Sequence, residues 1–359
     1  MDMWIDNEIY KEDLEYILNN ERIKWLLFKN KTILITGATG LIGSLLVKTL
    51  LFANQGLNLN CHIVGIVRNS QKVSDMYEAQ FMQDDNLEFI YVDVCKPINY
   101  SGRIDYIIHT ASQTSSKAFL NAPVETMKIA LKGTMELLDL ALEKKTKGFI
   151  YLSTIEVYGV PTNDEKITEK YSVKLDNENI RNSYSISKYA CEMLCKSYAS
   201  QYNLSTVILR LAQTFGPGVQ HDDNRVFAEF ARCVIEKKDI ILHTKGETAR
   251  NYLYTADAAT AIFMTLLSDK KGEIYNVTNE NTYCSIYEMA NLVAKKCAKG
   301  TINVKIKQET DVEQYGYAPT LKMNLNAGKL RSLGWETRFS LEDMYNRMIS
   351  VMNDMKKWC

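Results

Sequence analysis

Residues Lys31 to Leu50, KTILITGATGLIGSLLVKTL, constrain this chain more than any other stretch. Thr32 to Thr36 are β-branched and apolar and read as a short buried strand; Gly37, Gly40 and Gly43 follow at the spacing G-x-x-G-x-x-G, and an apolar run with helical periodicity comes next. That order presents the free N–H groups and the positive dipole end of a helix N-terminus to a phosphate. In such a turn Gly37 permits the tight bend, Gly40 lets a pyrophosphate approach the backbone, and Gly43 allows close packing of helix on strand. The spacing differs from the G-x-G-x-x-G fingerprint, yet the strand and helix around it point to the same ligand, a dinucleotide.

The electrostatic balance points away from polyanions. Lysine and arginine number 43, as do aspartate and glutamate, so there is no basic surplus for nucleic acid, and a small-molecule ligand is expected. At 359 residues, 46% hydrophobic and 24% charged, the chain can bury a large core and build two lobes. No run approaches the roughly 18 apolar residues of a membrane span. The N-terminus, MDMWIDNEIYKEDLEYILNN, is acidic and polar, so a cytoplasmic protein without a membrane partner is expected. The cysteines lack C-x-x-C pairing, so neither a disulfide scaffold nor a metal site is expected; Cys191 and Cys195, on one helix face, read as small core residues.

Taken in order, residues 1–30 form an N-terminal extension, helical by its apolar spacing from Tyr10 to Phe28. Residues 31–211 alternate strands and helices, with strands at Thr32, His62–Val67, Leu87–Val92, Ile104–His109, Gly148–Ser153 and Thr206–Leu211. Helices are expected from Val124 to Lys144 and from Tyr184 to Tyr202. This pattern predicts an α/β fold, a doubly wound parallel sheet with ligands at the C-terminal strand ends. Residues 212–359 break the regularity and read as a smaller, interleaved substrate lobe, with a helix over Ser285–Ala298 and a strand near 273–277 returning to the main sheet.

Chemistry concentrates at those strand ends. The HTAS stretch would set small side chains beside the dinucleotide, with His109 as a satisfied core residue. If the extended conformation persists past Ser153, Thr154 and Glu156 share one side and place a hydroxyl and a carboxylate in one pocket. A cap or loop hydrogen bond for Thr154 and a solvated carboxylate for Glu156 are the competing readings. Tyr184 and Lys188, four apart in YSISK, share a helix face. An ammonium beside a phenol favours phenolate, and a nearby hydroxyl can share the proton of a reacting alcohol, which is acid–base machinery for hydride transfer. After the second strand, Val67, Arg68, Asn69 and Ser70 offer a cation in place of the acidic residue that binds a ribose 2′-hydroxyl, which favours NADP over NAD. A plain surface arginine is the alternative.

Together TGATGLIG, HTAS, LSTIEVYG, YSISK, LRLAQTFGPG and RNYLYTADAA make the chain resemble the extended short-chain dehydrogenase/reductases of the nucleotide-sugar epimerase and dehydratase group. The resemblance implies a Rossmann fold, an NAD or NADP cofactor and a nucleotide-diphosphate sugar substrate. It implies cofactor contacts from Gly37, Thr39, Gly40, Leu41, Ile42 and Gly43, from Asp93 and Val94 at the adenine, and from Thr110, Ala111 and Ser112. Thr154 and Tyr184 become the proton-handling pair, Lys188 also binds the nicotinamide ribose, Glu156 serves catalysis and substrate, and Arg250 contacts the substrate diphosphate. The implied reaction oxidises the sugar at C4 to a 4-keto intermediate and later returns the hydride. The 4,6-dehydratases of this group carry Thr-Asp-Glu where this chain has Thr154, Ile155 and Glu156. Isoleucine donates no proton, so epimerisation is the favoured net outcome, with decarboxylation or an atypical dehydration through Glu156 behind it. A non-catalytic NAD(P) sensor on the same fold is the rival of a different class. The resemblance also implies a homodimer.

Overall fold

A computed structural model describes residues 7–77, 79–161, 165–307 and 320–358. Its centre is a seven-stranded sheet formed by β1 (Thr32–Thr36), β2 (His62–Val67), β3 (Leu87–Tyr91), β4 (Tyr106–His109), β5 (Gly148–Thr154), β6 (Thr206–Leu211) and a return strand, Glu273–Val277. The spatial order is return strand, β6, β5, β4, β1, β2, β3, and every pairing is parallel. Strand order reverses between β1 and β4, the point at which doubly wound sheets open a crevice for ligands.

Period-two alternation sorts the apolar residues into two layers. Ile33, Ile35, Ile63, Ile108, Ile150 and Leu209 join one core layer with helices Leu41–Leu57 and Thr255–Leu266. Leu34, Val64, Ile107, Phe149, Tyr151 and Ile208 join the other with helices Pro123–Lys144 and Ser183–Tyr202, which hold the buried Cys191 and Cys195. The fold is Rossmann-like, with helices on both faces of a parallel sheet.

Beyond β6 the chain builds a second sheet. Its central strand, Ala249–Tyr254, pairs parallel with Gln213–Phe215 and Lys322–Met323 and antiparallel with Asn279–Ser285. The helix expected over Ser285–Ala298 is Ile286–Leu292, opened by a Ser285–Glu288 capping box and closed by a π turn at Val293–Cys297.

At the N-terminus the single helical run expected from Tyr10 to Phe28 is instead two pieces, helix Glu8–Leu18 and a 3₁₀ turn Trp25–Phe28. The break follows from the asparagines. Asn19 ends the helix, Asn20 Oδ1 accepts from the Arg22 N–H at 3.0 Å, and Trp25 Nε1 folds back to the Leu18 carbonyl at 2.8 Å. This helix is clasped by polar contacts. Arg347, on helix Leu341–Trp358, donates to Asp13 at 2.8 Å, to Glu12 at 2.6 Å and to the Ile9 carbonyl at 3.0 Å. Tyr254 Oη donates to Asp13 at 2.7 Å, and Tyr16 Oη donates to Asp257 at 2.8 Å. Burial raises the Asp13 carboxyl to about 6, against the opposing pull of Arg347.

A second buried network ties β5 and β6 to helix Ser183–Tyr202. Arg210 donates through Nε (2.9 Å) and Nη2 (2.6 Å) to Glu192, which also accepts from Ser153 Oγ at 2.5 Å. Both charged side chains are nearly inaccessible, at 3% and 2%.

Candidate active site

The site grows from the C-terminal ends of β1, β4 and β5. After β1 the chain bends at Gly37, whose φ of +63° lies in the left-handed region that glycine tolerates. A Cβ there would lie 2.9 Å from Thr110 Oγ1 and 3.0 Å from Ala111 Cα, so β4 closes on the turn. A Cβ on Gly43 would fall 2.2 Å from the Gly37 carbonyl oxygen, so the first helical turn sits directly against the bend. Thr110 Oγ1 donates to the Thr36 carbonyl at 2.5 Å, and the phenol of buried Tyr77 donates to the Ala38 carbonyl, also at 2.5 Å. Gly40 caps helix Leu41–Leu57, whose first N–H groups lack a helical acceptor. Thr39, Leu41 and Ile42 are half-buried around this opening. A cradle with no room for side chains beneath unpaired N–H groups fits a dinucleotide pyrophosphate.

This packing sets a direct test. Gly43→Ala forces a methyl into the Gly37 carbonyl, an overpacking cost of about 1–3 kcal/mol. The expected result is NAD(P) affinity about tenfold or more weaker in a binding titration, with the far-ultraviolet spectrum of the fold retained.

His109 is a buried core residue as read, but satisfied at one nitrogen only, since Nε2 has no hydrogen-bond partner among the described residues. Its Nδ1 shares a hydrogen bond of 2.8 Å with Thr36 Oγ1, and burial pushes its pKa down to about 3, so the ring is neutral. Ala111 N donates to the same Thr36 hydroxyl at 3.1 Å, and Ser112 follows half-buried. At the far end of the groove Arg68, Asn69 and Ser70 are exposed. Asn69 is not free for a ligand, because its side chain caps the next short helix by accepting from the Lys72 N–H at 3.2 Å. Asp93 accepts from the Cys95 N–H at 2.9 Å, which, with Arg68 nearby, holds its carboxyl below the usual range. Val94 is buried against Gly133 of helix Pro123–Lys144.

Past Thr154 the extended conformation does not persist. Ile155–Tyr158 is a 3₁₀ turn, Thr154 caps it by accepting from the Glu156 N–H at 3.3 Å, and Ile155 is 4% exposed in the core. Strand alternation therefore fails as the reason for joining Thr154 and Glu156. The turn nonetheless leaves both acting on one phenol: the Thr154 hydroxyl favours ionisation of Tyr184 and the Glu156 carboxylate opposes it.

Tyr184 opens the first turn of helix Ser183–Tyr202, its ring stacked on Phe119 at 4.3 Å with planes 8° apart. Burial and Glu156 raise its pKa well above the ordinary value, so the phenol is protonated in this state. Lys188, expected to favour phenolate, lies one turn along the same helix. The Lys188 ammonium donates to the Leu152 carbonyl at 2.7 Å and lies over the Tyr151 ring at 4.7 Å, and burial lowers its pKa to about 8. Two arginines, Arg225 and Arg181, act to lower the phenol's pKa. Arg225 pairs with Asp223; Arg181 Nη1 donates to Glu156 Oε2 at 3.2 Å. Arg250 stands half-buried on the central strand of the second sheet, beside Cys284 and Met323.

Sequence reading missed Phe119, Tyr77, Arg181 and Arg225. Only Arg181 carried a local signal, three residues before Tyr184 and so one helical turn away.

The comparisons with known proteins agree with this architecture. UDP-glucuronic acid decarboxylase 1 of Xenopus tropicalis is 27% identical over 328 residues, spanning 91% of this chain and 73% of that protein. A UDP-glucose 4-epimerase from Thermotoga maritima, solved with UDP-glucose, superimposes with a TM-score of 0.76 at 21% identity, covering 90% of this chain and 99% of the other. A dTDP-glucose 4,6-dehydratase from Streptomyces venezuelae, solved with NAD and TYD bound, gives 0.73 at 20% identity over 91% and 98% of the two chains. The NAD dependent epimerase/dehydratase family model matches residues 33–278, and with the glycine cradle and the sheet order this establishes that the chain belongs to that family.

Proposed function

We propose that the protein is an enzyme that oxidises a nucleotide-diphosphate sugar at C4 to a 4-keto intermediate and then returns the hydride, with epimerisation as the net result. The observation that carries this reading is the meeting of Thr154, Glu156 and Tyr184 at the rim next to the glycine cradle. A bound nicotinamide supplies the hydride acceptor and donor. Tyr184 takes the proton of the C4 hydroxyl, and the Thr154 hydroxyl, which favours the phenolate, shares it. Lys188, fixed by the Leu152 carbonyl, holds the nicotinamide ribose. Gly37, Gly40 and Gly43 hold the pyrophosphate, and Arg250, with most of residues 212–359, binds the substrate. NADP is favoured over NAD because Arg68 stands exposed where a carboxylate would select the free 2′-hydroxyl.

Ile155, packed into the core, supplies no acid for loss of water, which supports epimerisation over 4,6-dehydration. Glu156 supports a second reading, decarboxylation, in keeping with the Xenopus relative. A homodimer is favoured by exposed apolar residues on two helices packed together, Val124 and Met135 on one and Tyr189 and Met193 on the other.

The test is incubation with UDP-glucose, dTDP-glucose and UDP-glucuronic acid in the presence of NAD or NADP, read by mass and proton exchange. Unchanged mass with inversion at C4 is the expected result. Loss of water or carbon dioxide replaces epimerisation by the corresponding lyase reaction, and no conversion of any sugar removes the proposal.

A further inference from the structure

Glu156 and Tyr184 pose an electrostatic conflict. A carboxylate beside a phenol opposes formation of phenolate, yet the proposed chemistry needs Tyr184 to act as a proton acceptor while Glu156 stays charged. The geometry around Arg181 resolves it. Arg181 lies in the 3₁₀ turn Ile180–Asn182 that leads into the Tyr184 helix, and the Asn179 side chain fixes its backbone by accepting from the Arg181 N–H at 3.0 Å. Its guanidinium binds Glu156 at 3.2 Å, and its Cζ stands 5.8 Å from the Phe119 ring centroid. Phe119 in turn stacks on Tyr184 at 4.3 Å. Carboxylate, guanidinium, aromatic ring and phenol are thus linked in one series, and the Arg181 side chain is only 14% exposed, where water screens it little.

We propose that Arg181 is a positioning residue that turns Glu156 onto its own guanidinium and so lets a Glu156 carboxylate and a Tyr184 phenolate coexist in one pocket. This rests on the reading of Tyr184 as proton acceptor. The other groups acting on the phenol do not replace Arg181. Thr154 offers a neutral hydroxyl, Arg225 acts on the phenol but pairs with Asp223 rather than Glu156, and Lys188 is tied to the Leu152 carbonyl and the Tyr151 ring. Within the series, only Arg181 contacts the carboxylate that creates the conflict.

The test reads the phenol itself rather than turnover. The Tyr184 resonance in NAD-loaded protein with isotope-labelled tyrosine, assigned by difference from Tyr184→Phe, is followed against pH in wild type, Arg181→Gln, Arg181→Lys and the double variant Arg181→Gln/Glu156→Gln. The expected result is a phenol about tenfold or more less acidic in Arg181→Gln, partly restored by Arg181→Lys, and restored in the double variant because the opposing charge has gone. A merely structural arginine would leave the double variant no better than the single one. The proposal is overturned by that outcome, by a phenol unaffected in Arg181→Gln, or by a wild-type phenol that stays protonated up to the pH of unfolding. Failure of the wild type to convert any nucleotide sugar would instead count against the reaction proposed above.

Discussion

Tyr184→Phe is expected to abolish nearly all turnover while leaving cofactor affinity and melting behaviour close to wild type. Phenylalanine preserves the ring that stacks on Phe119 and removes only the hydroxyl. Loss of one positioned acid–base group costs about 10²–10⁴ in rate, and among the described residues the tyrosine hydroxyl bonded to the glycine cradle is that of Tyr77, not of Tyr184. Steady-state assay beside a cofactor titration checks both halves. A variant with unchanged turnover would remove Tyr184 from the chemistry, and one that lost its cofactor would make the residue a binding group. A non-catalytic sensor would show neither loss.

The largest effect on stability is expected at Arg210. Replacing it with Met leaves Glu192 buried at 2% exposure with Ser153 Oγ as its remaining partner, and breaking a buried pair from one side costs about 3–5 kcal/mol. Urea unfolding should show the midpoint falling with little change in slope. Adding Glu192→Gln to Arg210→Met should recover much of the loss, because the uncompensated charge and not the missing volume dominates. Since Glu192 sits one turn beyond Lys188 on the same helix, the single variant should also disturb Lys188, whose charge Glu192 favours.

Much of this fold was legible because its signals are local and repeated. Alternation in TILIT and HIVGIV divides cleanly between two core layers, and the glycine turn announces itself by composition. Tyr184 and Lys188 were found by helical spacing, but the partner of the Lys188 ammonium was not, since the Leu152 carbonyl comes from a strand packed across the layer. Past Thr154 the competing reading, a cap hydrogen bond, is the one borne out: the Thr154 hydroxyl accepts from the Glu156 N–H and opens a 3₁₀ turn in place of continued extension. Phe119 and Arg225 reach Tyr184 from segments far apart in the sequence, and no spacing rule encodes such a meeting. The N-terminal helix was foreseen in kind but not in extent, because apolar periodicity runs on through the asparagines that end it.

The clasp on that helix bears on how the protein comes to be made. Asp13 and Arg347 are separated by 334 residues, so at ordinary rates of synthesis the carboxylate waits on the order of tens of seconds for its guanidinium. An 11-residue helix is marginal alone in water, but the helices it packs against, Leu41–Leu57 and Thr255–Leu266, are made well before Leu341, so what waits is the polar clasp rather than the cover of Leu14 and Ile17. The final locking of the N-terminal segment is therefore among the last events of assembly, and a nascent chain halted before Leu341 holds the buried Asp13 carboxyl without the guanidinium that favours its charge.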